Sequence, residues 1–353
     1  ENPGKWLDKV IGWADVFIFQ YSTPSDILTR FNDLCIKEKI PKLFVSEFDD
    51  DVTRCHESNK NYRYTGLEEF KIGDKWLWKD KTLCDHRKEY EDKTEEDKKE
   101  FFFDLDMNRK RVLKTLRAVT YSDIVTTTTP ELGDVFRDYN SNICVLPNYI
   151  NPEVMPSGKK KKRDYVLIGW QGGDSHHHDL KLIMPALKRI KKEYKDKVRF
   201  RFMGAGFAKM YEELDAEFIP WVDPEDFYQV FSEDLLDIGL VPLIDPDKNK
   251  FNNSKSNIKW LEYSYYGIPS VVSGYKPYIQ SITDEVNALL CYSSDDWYYS
   301  IKSLIDDPFL RMKLGANAKK EVTLKYTIQT HAHKWYDFYM SALKNKVEYL
   351  NKL

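Results

Sequence analysis

The sequence predicts an α/β protein with two domains, each built on a parallel sheet. Three observations lead to this prediction. The chain has 353 residues, which is more than one ordinary core holds and enough for two. Short apolar runs of strand length alternate with segments of helical periodicity. The alternation is repeated in the second half with shorter loops, which is typical of a doubly wound parallel sheet with helices on both faces.

The first half begins with a strand, helix, strand unit. ADVFIFQY (14–21) and KLFVSEFDDD (42–51) are apolar runs that end in polar clusters, and DILTRFNDLCIKEK (26–39) between them has helical spacing. A β-branched strand then meets a Thr-Pro helix start in SDIVTTTTPELGDVF (122–136), and NICVLPNYI (142–150) supplies the last strand.

The second half continues the alternation. We predict strands at 165–170, 198–204, 216–221 and 236–243 and in the Val-Val segment that ends at 273, with helices at 179–194, 208–214, 223–233 and near 256–266. A last helix places an apolar face at Trp335, Phe338, Tyr339, Ala342 and Leu343.

Two polar segments set the predicted boundaries. NPEVMPSGKKKKRD (151–164) is rich in Pro, Gly and Lys, and we interpret its lysine run as a solvated connector rather than a phosphate-binding patch. The second segment, at about 57–100, is highly charged and has no clear helical or strand periodicity. We therefore predict a first domain over 1–155 with an insertion at about 57–100, a second domain over 156–326 and a terminal helix over 327–353.

The composition narrows the class of protein. Apolar residues make up 42% of the chain, and no run approaches the roughly 18 apolar residues of a membrane span. The 54 basic and 57 acidic side chains give a mixed surface, which does not favour nucleic acid as a partner. Five scattered cysteines without a CxxC pair indicate a reducing compartment, so we expect a cytoplasmic protein. The start lacks both a signal core and an initiator Met, so we expect that an upstream segment is missing.

The segment KSNIKWLEYSYYGIPSVVS (255–273) contains the most informative pattern. If a helix begins near Ser256, the hydroxyl can cap it, and the backbone N–H groups of Asn257 and Ile258 point out of its N-terminus, where an anion binds favourably.

The same helix would carry a charged stripe of Lys255, Lys259, Glu262 and Tyr266, opposite an apolar stripe of Ile258, Leu261 and Tyr265. Two ammonium groups suit a diphosphate, and a carboxylate one turn further suits two neighbouring sugar hydroxyls. This combination predicts a site for a nucleoside diphosphate. The alternative is a surface helix with an ordinary Lys259 and Glu262 ion pair.

A second loop points to the same ligand. In IGWQGGDSHHHDL (168–180), a strand is followed by Gly172 and Gly173 and then by a helix that opens near Asp179. Glycines allow the backbone to approach a phosphate, although a Gly pair alone is a weak signal.

Several segments in order resemble a known family. The second half is similar to the nucleotide-binding lobe of retaining glycosyltransferases of family four in the runs GWQGG with HHHDL, RFMGAG, WVDPEDFY, DIGLVPL and NNSKSNIKWLEYSYYGIPSVVS. The first half resembles the acceptor lobe of bacterial polysaccharide or viral types in VSEFDDD, SDIVTTTTPEL and CVLPNYI. The resemblance implies the GT-B fold, in which two Rossmann-like parallel-sheet domains face a cleft and a C-terminal helix crosses back to the first domain. It also implies transfer of a sugar, hexose or pentose, from a nucleotide sugar to a carbohydrate acceptor without a metal or other cofactor. The family's first strand and Gly-rich loop are not visible before residue 14, which fits the missing start.

The resemblance also implies roles for single residues. Glu262 matches a ribose-binding glutamate, and Lys255 and Lys259 would neutralise the departing diphosphate. The remaining donor-side residues would contact the diphosphate, the sugar or the base: Gly172, Gly173, His176, Gly204, Trp221, Val222, Ser256, Asn257 and Ile258.

The sequence also departs from the family pattern. Ser254 stands eight residues before Glu262, where the family's first glutamate usually lies, which puts its sugar contacts in doubt. Trp170 replaces the usual Arg after the first strand of this lobe, and His176 stands in place of the accompanying Lys. More of the diphosphate charge would therefore fall on Lys255 and Lys259.

Other side chains allow more than one interpretation. Adjacent histidines at 176–178 cannot all face one ion, so we expect no zinc site there. The acidic end of VSEFDDD is either a capping or cleft-facing loop or the source of an acceptor-side base, Asp49 or Asp51. Trp76 and Trp78 either stack on a carbohydrate or pack within the insertion.

Two other functions remain open: a viral-type transferase that acts on hydroxylated DNA bases, and a non-catalytic sugar-nucleotide-binding protein.

Overall fold

The computed structural model describes residues 12–20, 25–57, 59, 61–76 and 103–353. The chain divides into two compact units. One comprises the residues up to Pro147 together with Ala332–Leu353, and the other comprises Asn148–His331. The divisions at residues 155 and 326 made from sequence remain predictions, as do those parts of the insertion that lie outside the described residues.

The first unit contains a four-stranded parallel sheet in the order β1 (Val16–Gln20), β2 (Leu43–Phe48), β5 (Ile124–Thr127) and β6 (Ile143–Val145). Its main helices are α1 (Ser25–Lys37), α3 (Leu105–Tyr121) and α4 (Pro130–Phe136). The predicted Thr-Pro helix start is confirmed, because the Thr129 hydroxyl accepts a hydrogen bond from the Leu132 N–H and Pro130 opens α4.

A short part of the predicted insertion is described. It contains α2 (Tyr62–Thr65) and an antiparallel pair formed by β3 (Lys71–Ile72) and β4 (Lys75–Trp76). Trp76 is exposed, and the Lys71 ammonium lies 4.4 Å from its ring centroid. Trp78 lies outside the described residues.

The last helix, α11 (Ile328–Lys352), packs on the first unit's sheet. Its apolar face contacts Leu43, Val45 and Ile124 through Phe338, Tyr339, Ala342 and Leu343. Further along, the Lys346 ammonium donates to Asp123 at 2.7 Å in a nearly buried ion pair. The helix predicted from sequence to return to the first domain is therefore found there.

The second unit contains a six-stranded parallel sheet. Its strands lie in the order β12 (Leu289–Cys291), β11 (Ser270–Ser273), β10 (Ile238–Val241), β7 (Val166–Gly172), β8 (Val198–Gly204) and β9 (Glu217–Pro220). The chain builds outward from β7 to β9 and then returns to build outward from β10 to β12. The order therefore reverses between β7 and β10, which is where doubly wound sheets bind ligands, at the carboxyl ends of the strands.

Helices cover both faces of this sheet: α5 (His177–Tyr194), α6 (Ala208–Leu214), α7 (Pro224–Ser232), α8 (Ile258–Tyr265), α9 (Ser294–Asp306) and α10 (Pro308–Lys325). One core packs α5, α6 and α9 around Phe200, and the other packs α7 and α8 around Trp260 and Tyr263. None of the helices in the described part of the chain combines the length and hydropathy of a membrane-spanning segment.

Candidate active site

A pocket of about 350 Å³ opens at the carboxyl ends of β7, β8 and β9 in the second unit. Its walls are mostly apolar, while an ammonium and a carboxylate stand on one side. The lining residues are Gln171, Gly172, Gly173, Met203, Gly204, Trp221, Val222, Pro224, Phe227, Tyr228, Ile258, Lys259 and Glu262. An apolar cavity with a few converging polar groups is the usual form of a small-molecule site.

Close backbone packing shapes the floor of the pocket. Gly172 and Gly204 are register partners at the ends of β7 and β8. Gly204 has φ +104°, and a Cβ there would lie 2.4 Å from the Gly172 carbonyl oxygen. A Cβ at Gly172 would lie 3.1 Å from Cε of Lys259. Glycine at 204 therefore lets the two strand ends approach each other, and glycine at 172 leaves space for the Trp170 ring and the Lys259 side chain.

The helix that carries the charged residues begins later than predicted. The first residue of α8 is Ile258, and its N-cap is Asn257, whose side chain donates to Ser281 Oγ at 2.7 Å. The Ser256 hydroxyl instead accepts from Asn148 Nδ2 at 3.0 Å. The prediction that Ser256 caps this helix is wrong, because the N-cap is Asn257 and Ser256 lies one residue before it.

The N-terminal end of α8 still reaches the pocket. The first backbone bond within the helix runs from the Leu261 N–H to the Asn257 carbonyl, so the N–H groups of the preceding turn lie at the helix end. Of this turn, Ile258 and Lys259 line the pocket. The fully buried face consists of Trp260, Leu261, Tyr263 and Ser264, whereas the predicted apolar residues Ile258 and Tyr265 are only partly buried.

Glu262 is the carboxylate of the pocket. Its Oε2 accepts from Gln171 Nε2 at 2.7 Å, and its Oε1 accepts from the Tyr228 hydroxyl at 3.1 Å. Burial raises the pKa of Glu262 to about 7, although the nearby Lys259 ammonium and the two hydrogen bonds oppose this shift. Each carboxylate oxygen keeps capacity for a second hydrogen bond, so the group can accept two more donors from a ligand.

Lys259 is the cation of the pocket. Its Nζ lies 2.8 Å from Nε2 of His176, and Nδ1 of His176 lies 2.7 Å from Oδ2 of Asp179. His176 is buried and is not among the lining residues, so it contacts the lysine rather than the cavity. Burial and the adjacent Lys259 ammonium lower the pKa of His176 to about 4.

The other predicted donor-side residues differ in position. Trp221 is 64% exposed at the pocket mouth, 3.9 Å from where a Cβ on Gly173 would lie, and Val222 is half-buried in the wall. The Lys255 ammonium lies 4.3 Å from the Phe251 ring centroid, and Lys255 is not among the lining residues.

Ser254, at the place of the family's first glutamate, is buried and does not line the pocket. Asp49 and Asp51 belong to the first unit. Asp49 is exposed, and its carbonyl accepts from Thr128. Asp51 is buried, and it accepts from the backbone and hydroxyl of Thr53 and pairs with Arg54 at 3.2 Å.

Sequence reasoning missed two polar residues of the pocket, Gln171 and Tyr228. Both lie inside segments that carried the resemblance, GWQGG and WVDPEDFY. The signal for Gln171 is its place directly before the glycine pair at a strand end. No periodicity singles out Tyr228, because its role depends on α7 and α8 lying side by side.

No cluster of three or more His, Cys, Asp or Glu side chains suited to a metal occurs among the residues that the structure describes. Independence from metal remains a prediction.

A family model matches part of the chain. Residues 181–337 match the family model described as glycosyl transferase-like. Comparison of the sequence with curated proteins gives no match.

Solved structures resemble the whole chain. Sucrose-phosphate synthase from Thermosynechococcus elongatus is 10% identical with a TM-score of 0.60, over 97% of this chain and 78% of that one. HepE from Anabaena, solved with UDP-glucose, is 10% identical with a TM-score of 0.57, and the match covers 99% of this chain and 82% of HepE. A point mutant of S. aureus TarM, solved with fondaparinux, alpha-GlcNAc-glycerol and UDP, is 14% identical with a TM-score of 0.58. The match covers 95% of this chain and 57% of TarM. At these identities the likeness shows the fold: the chain has the GT-B fold of glycosyltransferases, with two Rossmann-like parallel-sheet domains, as predicted.

Proposed function

We propose that this protein is a glycosyltransferase that moves a sugar from a nucleoside-diphosphate sugar to a carbohydrate acceptor, with retention of the anomeric configuration and without a metal ion. The observation that carries the proposal is the pocket in which Lys259, Glu262 and the start of α8 converge on the ends of β7 and β8.

The pocket offers a complementary group for each part of such a donor. Apolar and aromatic walls around Trp221 and Val222 suit a base, and the Glu262 carboxylate suits the two hydroxyls of a ribose. The Lys259 ammonium and the N–H groups at the start of α8 suit the diphosphate. Gly173, where an added Cβ would meet only Trp221 at 3.9 Å, leaves room for the transferred sugar.

The chemistry requires mainly positioning and stabilisation of charge. The bond between the anomeric carbon and the diphosphate oxygen breaks, and the acceptor hydroxyl forms the new bond to that carbon. The proton of the acceptor passes to an oxygen of the departing diphosphate. Lys259, with Lys255 nearby in sequence, would stabilise the charge that develops on the diphosphate.

UDP-sugars are the first donors to test, since the similar structure of HepE was solved with UDP-glucose. Among the residues that the structure describes, Cys35, Cys144 and Cys291 are free cysteines, which supports our proposal of a reducing, cytoplasmic location.

The test is a thermal-shift panel of nucleoside diphosphates and their sugars, followed by an assay for released nucleotide and transferred sugar. We expect one diphosphate to stabilise the protein by about 2.7 kcal/mol at a hundredfold excess over its Kd. Glu262→Ala should lose most of this effect, while Glu212→Ala, an exposed carboxylate on α6, should keep it.

The assay separates the alternatives. Binding without donor hydrolysis or transfer would indicate a non-catalytic nucleotide-binding protein. Transfer to hydroxylated DNA, weakening steeply with salt, would indicate the viral-type activity. Absence of any effect from the whole panel would refute the proposed function.

A further inference from the structure

Three buried or half-buried side chains form a hydrogen-bonded chain behind the pocket. Asp179 accepts from the Ile244 N–H at 2.7 Å and from Asn252 Nδ2 at 3.1 Å, both through Oδ1. Its Oδ2 faces Nδ1 of His176, and Nε2 of His176 faces the Lys259 ammonium. This series of hydrogen bonds therefore connects the loop after β10 to Lys259, the cation that lines the pocket.

The partners fix the protonation of the imidazole. Asp179 is an acceptor on the Nδ1 side, so Nδ1 carries the proton. Lys259 is a donor on the Nε2 side, so Nε2 must offer its lone pair. A doubly protonated ring would place an N–H against an ammonium 2.8 Å away, without an acceptor between them. The ring is also held sterically, because Trp170 packs against it edge to face at 5.9 Å.

We infer that His176 is a positioning residue, which holds the Lys259 ammonium over the end of β7 where the donor diphosphate would lie. This inference rests on the proposed function. It also replaces the role expected from sequence, in which His176 itself contacts the donor. The methylene chain of Lys259 passes close to Gly172, which has no side chain to displace it. The position of the Lys259 ammonium is therefore set by the end of β7 and by the His176 acceptor together.

The spacing in the sequence agrees with this arrangement. His176 is the N-cap of α5 and Asp179 lies three residues later in its first turn, which brings the carboxylate back to the imidazole. A carboxylate that fixes the tautomer and orientation of a histidine is a familiar way to orient a functional group through hydrogen bonds.

The discriminating variant is Asp179→Asn. The asparagine Oδ1 can still accept from Ile244 and Asn252, but its NH2 group donates to Nδ1 of His176. The ring then carries its proton on Nε2 and can no longer accept from Lys259. We expect the Kd for UDP to rise about tenfold, because a hydrogen bond to a charged group loses its geometry, while the Kd for uridine stays unchanged. Asp215→Asn, at an exposed carboxylate, serves as the matched control.

A second measurement needs no donor and tests the chain directly. Nitrogen NMR on histidine-labelled wild type should show His176 with its proton on Nδ1 at neutral pH, and Asp179→Asn should move that proton to Nε2. His176→Gln assigns the signal. A proton on Nε2 or on both nitrogens in the wild type would overturn the inference.

The binding measurements on Asp179→Asn can also overturn the inference. Equal weakening of UDP and uridine by Asp179→Asn would indicate a merely structural role, and an unchanged UDP affinity would remove the positioning role. If the wild type binds neither UDP nor any other nucleotide of the panel, the proposed function fails and the positioning role for a diphosphate fails with it, whereas the NMR result still decides whether the hydrogen-bonded chain exists.

Discussion

The Tyr228 hydroxyl donates to Oε1 of Glu262 across 3.1 Å, joining α7 to α8 at the wall of the pocket. Gln171 donates to the other carboxylate oxygen from the end of β7. Three separate elements therefore fix one carboxylate, and its direction does not depend on a ligand. Such prior orientation lowers the entropy lost when a ligand binds.

Tyr228→Phe should weaken nucleotide binding without unfolding the protein. The variant removes one of the two hydrogen bonds that orient Glu262, and a bond to a charged group contributes about 1.5–3 kcal/mol. Since the carboxylate keeps its bond from Gln171, we expect the Kd for UDP, measured by calorimetry, to rise about tenfold.

Tyr299→Phe is the matched control, because Tyr299 is an exposed tyrosine on α9 outside the pocket. An unchanged Kd in Tyr228→Phe would show that Gln171 alone suffices to orient Glu262.

The pKa of Glu262 predicts how stability depends on pH. Burial raises this pKa to about 7, above the ordinary glutamate value of 4.5 that the unfolded chain would show. Between these values the folded protein binds more protons than the unfolded chain, so the contribution of Glu262 is fully present below about pH 4.5 and is lost as pH rises through about 7. Glu262→Gln cannot ionise and should lack this part of the pH dependence.

The measurement is the free energy of unfolding of both proteins from about pH 5 to about pH 8. We expect the difference between Glu262→Gln and wild type to change by on the order of 2 kcal/mol in favour of the variant across this range. A constant difference would show that the carboxyl group is already ionised at the acidic end of the range.

These predictions rest on side chains that were visible in the sequence to different degrees. The alternation of strands and helices comes from local periodicity, so most elements could be predicted. Lys259 and Glu262 could also be predicted, because residues three apart on a helix share a face. The start of α8 could not, since the pairing of Ser256 with Asn148 joins residues 108 positions apart. The same limit explains why Tyr228 was missed, since its hydrogen bond to Glu262 joins residues 34 positions apart.

Gly204→Ala should destabilise the second unit. Gly204 has φ +104°, a conformation that costs an L-residue about 1–3 kcal/mol, and the added Cβ would lie 2.4 Å from the Gly172 carbonyl oxygen. We expect the free energy of unfolding to fall by about 2–4 kcal/mol.

Gly206→Ala is a close control, because the nearest atom to its added Cβ is 3.7 Å away on Phe218. It should change the free energy of unfolding by less than about 1 kcal/mol. Equal stability of the two variants would contradict the close contact between the ends of β7 and β8.

Trp221→Ala should affect binding but not stability. The side chain is 64% exposed at the mouth of the pocket, so its removal exposes little new apolar surface and should change the free energy of unfolding by less than about 0.5 kcal/mol. If its ring stacks on a nucleobase, the loss is worth about 1–3 kcal/mol, and the Kd for both UDP and uridine should rise at least fivefold. Trp76→Ala, at an exposed tryptophan of the first unit, should leave both Kd values unchanged.

Because stacking acts on the base and Lys259 on the diphosphate, Trp221→Ala should weaken the binding of UDP and of uridine by the same factor. A loss confined to UDP would instead place Trp221 beside the diphosphate or the sugar.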